Sequence, residues 1–173
     1  RGLGGFHLAV DARDEHAVRR LRRHKRREAR PFAIMVRALA EARAIAGVDA
    51  AVAAALVSRE RPIVLLPVRT DARLAASVAP GLDTVGVMLA STPLHHLLLD
   101  AVARPLVMTS GNRSEEPIAT GNDEALQRLQ GIADALLLHD RDIVSRYDDS
   151  VARMVDGAPL FLRNTRSVRL SVL

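Results

Sequence analysis

The sequence predicts an α/β fold, a twisted open mixed sheet with covering helices. Three observations carry that expectation. Short apolar runs recur along the chain, helical stretches alternate with them, and the segments between carry Pro, Gly or capping residues. Asp11 or Asp14 can cap a first helix that reaches Glu28, with Ala17, Val18 and Leu21 on its inner face and Pro31 ending it. Phe32–Val36 is an apolar run suited to a buried strand. The Ala-rich pattern from Leu39 to Leu56 is helical, and Gly47 divides it in two. Pro62–Val68 reads as the next strand, and a linker from Arg69 to Asp83 leads to a strand at Thr84–Leu89. Thr92-Pro93 opens a helix to about Val102, since Pro suits the first helical position. Pro105–Met108 then reads as a strand, Asn122 caps a helix to about Gln130, and Ala135–His139 reads as a further strand. Ser150–Val155 and Leu160–Arg163 form a hairpin around Asp156-Gly157, a dipeptide suited to a tight turn. The alternation predicts one domain over residues 1–173.

Composition narrows the function classes. With 173 residues, 49% hydrophobic and 26% charged, the chain can bury a core unaided, and neither disorder nor a fibrous repeat is indicated. Cys is absent, which removes disulfides, thiolate metal sites and cysteine nucleophiles together. The longest apolar stretches, such as Ala50–Val57, are far short of a membrane span, so no membrane partner is expected and a cytoplasmic location is. The chain opens at Arg1-Gly2-Leu3-Gly4-Gly5 without an initiator Met, so it is expected to be a piece of a longer multidomain polypeptide.

The net charge of +5 is concentrated rather than spread. Residues 19–30 carry eight basic side chains against the single acid Glu28, more than the whole net charge, which leaves the remainder mildly acidic. A nucleic-acid coat spreads cations over a face, whereas one dense cluster suits a compact polyanion such as a triphosphate; RNA is the lesser alternative. The chain holds 24 Arg and a single Lys, so an individual Arg carries little information and Lys25 carries more.

Three clusters bear chemistry. Lys25-Arg26-Arg27-Glu28-Ala29-Arg30-Pro31-Phe32 runs from a cationic helix end into a buried strand, supplying mobile and planar cations to one rigid edge; cations also suit a helix C-terminus for its dipole alone. Thr109-Ser110-Gly111-Asn112-Arg113-Ser114 follows a strand, where ligands of α/β sheets bind, although Ser-Gly-Asn is also ordinary turn chemistry. Arg146-Tyr147-Asp148-Asp149-Ser150, with Arg163 and Arg166 beyond, either holds Mg²⁺ between paired acids or forms a salt-bridged turn. No Walker A pattern, dinucleotide fingerprint or Gly-x-Ser-x-Gly elbow is present. His95 and His96 are adjacent on a helix and point about 100° apart, so they cannot share one metal; one is expected in the core or at a cap, the other at the surface. His139, at a strand end, is the one His expected near a site.

In this order the clusters resemble the YrdC superfamily, and more narrowly its hydrogenase-maturation branch, HypF. The resemblance lies in Gly2-Leu3-Gly4-Gly5-Phe6-His7-Leu8-Ala9, in Lys25-Arg26-Arg27 with Pro31-Phe32-Ala33-Ile34-Met35, and in Gly86-Val87-Met88-Leu89 with Thr92-Pro93-Leu94-His95-His96-Leu97-Leu98. It continues through Leu106-Val107-Met108-Thr109-Ser110-Gly111-Asn112, Glu116-Pro117-Ile118, Ala133-Asp134-Ala135, Leu138-His139-Asp140-Arg141 and Asp148-Asp149-Ser150-Val151. The resemblance implies a basic groove binding ATP with Mg²⁺, where carbamate attacks the α-phosphate and pyrophosphate leaves, giving carbamoyl-adenylate. It implies further domains in the parent chain and a HypE-type acceptor protein for the carbamoyl group. By the same resemblance Lys25, Arg26 and Arg30 meet phosphates, and Thr109, Ser110 and Asn112 surround the nucleotide and carbamoyl group. Ser150 and Arg163 close the pocket, while His139, Arg141, Arg146 and Asp148 are further pocket residues; no catalytic residue and no protein metal ligand follows. Asn112 is expected to act on the nucleotide rather than on folding.

The chain departs from that pattern at Arg1 and Arg30, where Lys is expected, at Ala90-Ser91, where Pro-Tyr is expected, and after Arg163, where an Arg-rich segment ending in Gly-Tyr is expected. The alternatives are a threonylcarbamoyl-adenylate synthase of the same superfamily, acting in tRNA modification, and a non-catalytic RNA-binding module.

Overall fold

Side-chain alternation along the strands divides the molecule into two unequal faces. In the computed structural model, which describes residues 1–114 and 116–164, the strands are β1 (His7–Asp11), β2 (Ala33–Val36), β3 (Ile63–Pro67), β4 (Thr84–Leu89), β5 (Leu106–Ser110), β6 (Val151–Val155) and β7 (Ala158–Arg163). The helices are α1 (Glu15–Lys25), α2 (Leu39–Ile45), α3 (Ala50–Val57), α4 (Pro93–Val102) and α5 (Asn122–Arg128), with one 3₁₀ turn at Ala76–Val78. The strands form one seven-stranded sheet in the order β1-β5-β2-β4-β3-β6-β7. The β2/β4 and β3/β6 pairs are parallel and the rest antiparallel, so the sheet is mixed as the sequence predicts.

Ile34 and Val36 of β2, Val85, Val87 and Leu89 of β4, and Val107 of β5 point to the larger core, where they meet Val18 and Leu21 of α1, Ala42 and Ile45 of α2, and Val52 and Leu56 of α3. Burying each large side chain there contributes about 1.5–3 kcal/mol. The alternate residues, Met35, Met88, Leu106 and Met108, face the other way and pack with Leu99 of α4 in a smaller cluster. Among the described residues, α4 is the one helix that contributes to that second cluster. Beside it Ala33 and Gly86 are small, and with Ile63 and Leu65 they form the floor of an open groove on the same face.

Several expectations are corrected. The first helix ends at Lys25 rather than Glu28, because Arg26 adopts a left-handed conformation with φ 54° and its N–H bonds back into the last turn. The reading placed no strand before that helix, yet His7–Asp11 pairs with β5 along its length. The helix near residue 122 is capped at Gly121, not Asn122, and the Glu124 carboxylate accepts from the N–H groups of Thr120 and Gly121. No strand forms at Ala135–His139; a run of four apolar residues without a partner strand cannot satisfy its backbone. Gly47 does divide α2 from α3, and Asp156 and Gly157 take the positive φ values of 50° and 76° that the β6–β7 turn requires. His95 is buried and His96 exposed, as the helical spacing implies. Arg166 and the altered tail lie outside the described residues. Among the described residues no helix is long and apolar enough to cross a membrane.

Candidate functional site

The groove on the smaller face encloses about 370 Å³. Its floor depends on Gly86, because a Cβ there would lie 2.7 Å from Ile63 Cγ2 and 3.4 Å from Ala33 Cβ. One wall carries Arg27, Arg30, Pro31 and Phe32, from the loop between α1 and β2. Asp148, Asp149 and Arg163 also line it, and Thr109, Ser110 and His7 stand at the ends of the paired strands β5 and β1. Three guanidinium groups therefore line one small cavity beside two hydroxyls.

The loop bearing Arg27 and Arg30 is held in place by a cation that does not line the groove. Arg22 is buried, and its guanidinium donates to the carbonyl oxygens of Ser77 (2.6 Å), Arg27 (2.9 Å), Glu28 (3.1 Å), Arg30 (3.1 Å) and Val78 (3.1 Å). It also stacks over Phe32 at 4.5 Å from the ring centre, with Arg27 over the same ring at 5.0 Å. Arg27 Nη2 donates to the Pro31 carbonyl at 2.6 Å, and Nη1 reaches Thr109 Oγ1 at 3.5 Å. Burial first, and then repulsion from the neighbouring charges of Arg22, Arg30 and Arg163, lower the pKa of Arg27 from its usual value, partly offset by Asp148. A polyanion would relieve that repulsion.

Lys25 is not in the groove. Its side chain is 1% exposed, and the ammonium donates to Ser110 O, to Asn112 O at 2.6 Å and to Asn112 Oδ1 at 2.7 Å. Ser110 Oγ donates to the same Asn112 Oδ1 at 2.7 Å, Asn112 Nδ2 donates to the Glu116 carbonyl, and Ser114 Oγ donates back to the carbonyls of Lys25 (3.0 Å) and Arg26 (3.1 Å). The end of α1 and the loop after β5 are thus latched in both directions. Burial first, and the charge of Arg27 next, bring the Lys25 pKa down to about 8, which leaves the ammonium charged at neutral pH.

The expected site residues therefore separate. Arg30, Thr109, Ser110, Asp148 and Arg163 line the groove. Lys25 and Asn112, expected on phosphate and nucleotide, do not line it; they form the latch, with their polar atoms bonded to one another and to backbone. Arg26 forms the helix cap and is exposed outside the groove. Ser150 is buried, with its carbonyl accepting from Ile63 N–H at 2.8 Å, and supports the groove from below. Arg146 is drawn to Glu124 at 3.4 Å, away from the groove. His139 and Arg141 line a separate cavity of about 530 Å³ together with Arg1 and the start of α4. Of the two readings of the acidic pair, the salt-bridged turn describes Asp148, whose Oδ2 accepts from Arg163 Nη1 at 3.1 Å while Arg163 Nε donates to the Asp149 carbonyl at 3.1 Å. No group of three potential metal-ligating side chains occurs among the described residues.

Arg27, Asp149 and His7 line the groove as well; sequence placed the first two in chemistry-bearing clusters without a pocket role of their own, and gave His7 none. For His7 the signal was its position between Phe6 and Leu8, which are buried in the larger core and leave the intervening residue to the opposite face.

An open mixed sheet with a cationic groove floored by Ala33 and Gly86 defines a class of α/β domain, and the sequence places it: residues 1–165 match the Sua5–YciO–YrdC family, described as "Telomere recombination", and the chain belongs to that family. Its relatives there are HypF carbamoyltransferases. The protein from Rhodobacter capsulatus is 53% identical over 166 residues, and that from Rhizobium leguminosarum bv. viciae 48% over 173, each match covering 96% of this chain. The chain spans 22% and 23% of those relatives' own lengths. A full-length HypF crystallised in a phosphate- and nucleotide-bound form superposes with TM-score 0.92 at 49% identity, over 95% of this chain and 22% of that one. Sua5 of P. abyssi, crystallised with L-threonine, shares the fold at TM-score 0.81 and 23% identity, over 94% of this chain and 48% of that one.

Proposed function

We propose that this chain binds ATP in the groove lined by Arg27, Arg30 and Arg163 and forms carbamoyl-adenylate from carbamate, releasing pyrophosphate. The observation that carries the reading is the convergence of three guanidinium groups and two hydroxyls on one small cavity, in a chain about half identical to a protein crystallised with phosphate and nucleotide. Guanidinium forks suit phosphate oxygens, and Thr109 and Ser110 offer donors at the strand end where α/β sheets take ligands. Arg163 would exchange Asp148 for a phosphate oxygen as the nucleotide enters. Mg²⁺ would neutralise charge on the phosphates, with Asp148 as its protein contact.

The chemistry asks little of the protein beyond position and charge. Carbamate supplies the nucleophilic oxygen, the bond from the α-phosphorus to pyrophosphate breaks, and the guanidinium groups stabilise the charge that leaves. The product hydrolyses readily, so its consumer must be close. Other domains of a parent chain, and through them a HypE-type acceptor protein, fit that requirement.

The test is exchange of labelled pyrophosphate into ATP, which reports a reversible adenylating step and needs no acceptor. Exchange that depends on carbamate is the expected result. Exchange stimulated instead by threonine with bicarbonate, or proceeding without any carbamoyl source, would overturn the reading.

A further inference from the structure

The groove has one corner whose chemistry does not suit phosphate. His7 projects into it from the first position of β1, in register with Ser110 of β5. Its Nε2 lies 3.8 Å from Asp149 Oδ2, and both side chains are largely sheltered, at 19% and 13% exposure. That separation exceeds direct hydrogen-bond length, yet one small polar group could bridge the two. The ring is fixed from three sides. A Cβ on Gly2 would stand 2.9 Å from its Cε1 and Nδ1, the His95 ring of α4 lies 6.0 Å away at 44°, and Asp149 faces the remaining edge. The segment bearing Asp149 is itself held, since Tyr147 N–H donates to the Gly4 carbonyl at 3.3 Å and the Asp149 carbonyl accepts from Arg163.

A carboxylate at this corner repels phosphate oxygens, so the nucleotide's phosphates belong with the guanidinium groups of the groove. What the pair matches is a small group with an N–H donor beside an oxygen acceptor. We propose that His7 and Asp149 receive the carbamoyl group, Asp149 accepting from its amino hydrogens and the His7 ring donating to its oxygen. The assignment rests on the carbamoyl-adenylate reading above. In that reaction the carbamate oxygen bonds to the α-phosphorus, the bond to pyrophosphate breaks, and the electron pair leaves with pyrophosphate. No proton moves, so the pair orients the nucleophile and selects it. Acetate, with a methyl group where carbamate has its amino group, leaves the Asp149 carboxylate facing carbon, and a site built around a hydrogen bond rejects an analogue that lacks it.

The experiment is carbamate-dependent pyrophosphate exchange, with fresh ammonium carbamate as the source and acetate as the comparison acid. His7→Ala should raise the KM for carbamate about tenfold or more, the scale of one lost hydrogen bond to a charged group, while the KM for ATP stays within about twofold. Asp149→Asn, which keeps the backbone carbonyl that Arg163 uses, should raise the KM for carbamate and narrow its preference over acetate. An unchanged KM for carbamate in His7→Ala, or an equal rise in both KM values, overturns the assignment alone. Absence of carbamate-dependent exchange in the wild type removes the proposed reaction and this assignment with it.

Discussion

Replacing Lys25 by Ala should unfold the protein before it weakens nucleotide binding. Three acceptors, Ser110 O, Asn112 O and Asn112 Oδ1, converge on an ammonium that is 1% exposed. Each hydrogen bond to a charged group is worth about 1.5–3 kcal/mol, and each buried acceptor left unsatisfied costs about 1–3 kcal/mol. Against this stands the desolvation of the ammonium, several kcal/mol, which the substitution relieves. A net loss of about 3–5 kcal/mol follows, the range seen when one partner of a buried charged network is removed. At about 2–4 °C per kcal/mol for a domain of this size, the melting temperature should fall by about 6–20 °C. Thermal unfolding by circular dichroism measures the loss, and calorimetric titration with ATP well below the lowered transition measures binding. A Lys25→Ala protein that melts with the wild type but no longer binds ATP would refute the latch and return Lys25 to the phosphates.

Arg27→Ala should do the reverse, weakening ATP binding by about 1.5–3 kcal/mol in the same titration, with a smaller change in melting temperature than Lys25→Ala. Gly86→Val should abolish nucleotide binding by filling the groove, since even a Cβ there meets Ile63 at 2.7 Å; ATP affinity at the wild-type level would show that the ligand lies elsewhere. The Glu124 carboxylate is held down to about 2, first by the Thr120 N–H and then by Arg128, so its contribution is present above the unfolded value of 4.5 and is lost as pH falls toward 2. The stability gap between wild type and Glu124→Gln in denaturant titrations should therefore close across that interval. Lys25 carries the opposite signature. Its folded value of about 8 lies below the usual 10.5, so the unfolded chain holds more protons between these limits and stability should rise with pH there. With no other Lys and no Cys in the chain, that slope should shrink markedly in Lys25→Met.

Local pattern was legible wherever one residue type answers one local demand. The division at Gly47, the opening of α4 at Thr92-Pro93 and the Asp156-Gly157 turn depend only on backbone preferences and neighbours. The apolar run at Ala135–His139 has the same look as a strand, and nothing within it says whether a partner edge will be within reach. The contact between Asn112 and Lys25 was hidden for a related reason. A turn that seems exposed in sequence turned out to hold the anchor of a lysine 87 residues away.

By itself the sequence determined the class of fold, the alternation of elements, the concentration of positive charge in residues 19–30 and the singular position of Lys25. The tertiary structure decided which of those cations line the groove. Arg22 and Lys25 were drawn inward by carbonyl oxygens from distant segments, Arg26 was spent on a helix cap, and Arg27 and Arg30 were left to meet Arg163 across the groove. The physical reason is that a charge finds its partner through space. Periodicity and propensity act over a few residues, whereas the acceptors that bury one arginine and leave another exposed come from strands that only the folded sheet brings together.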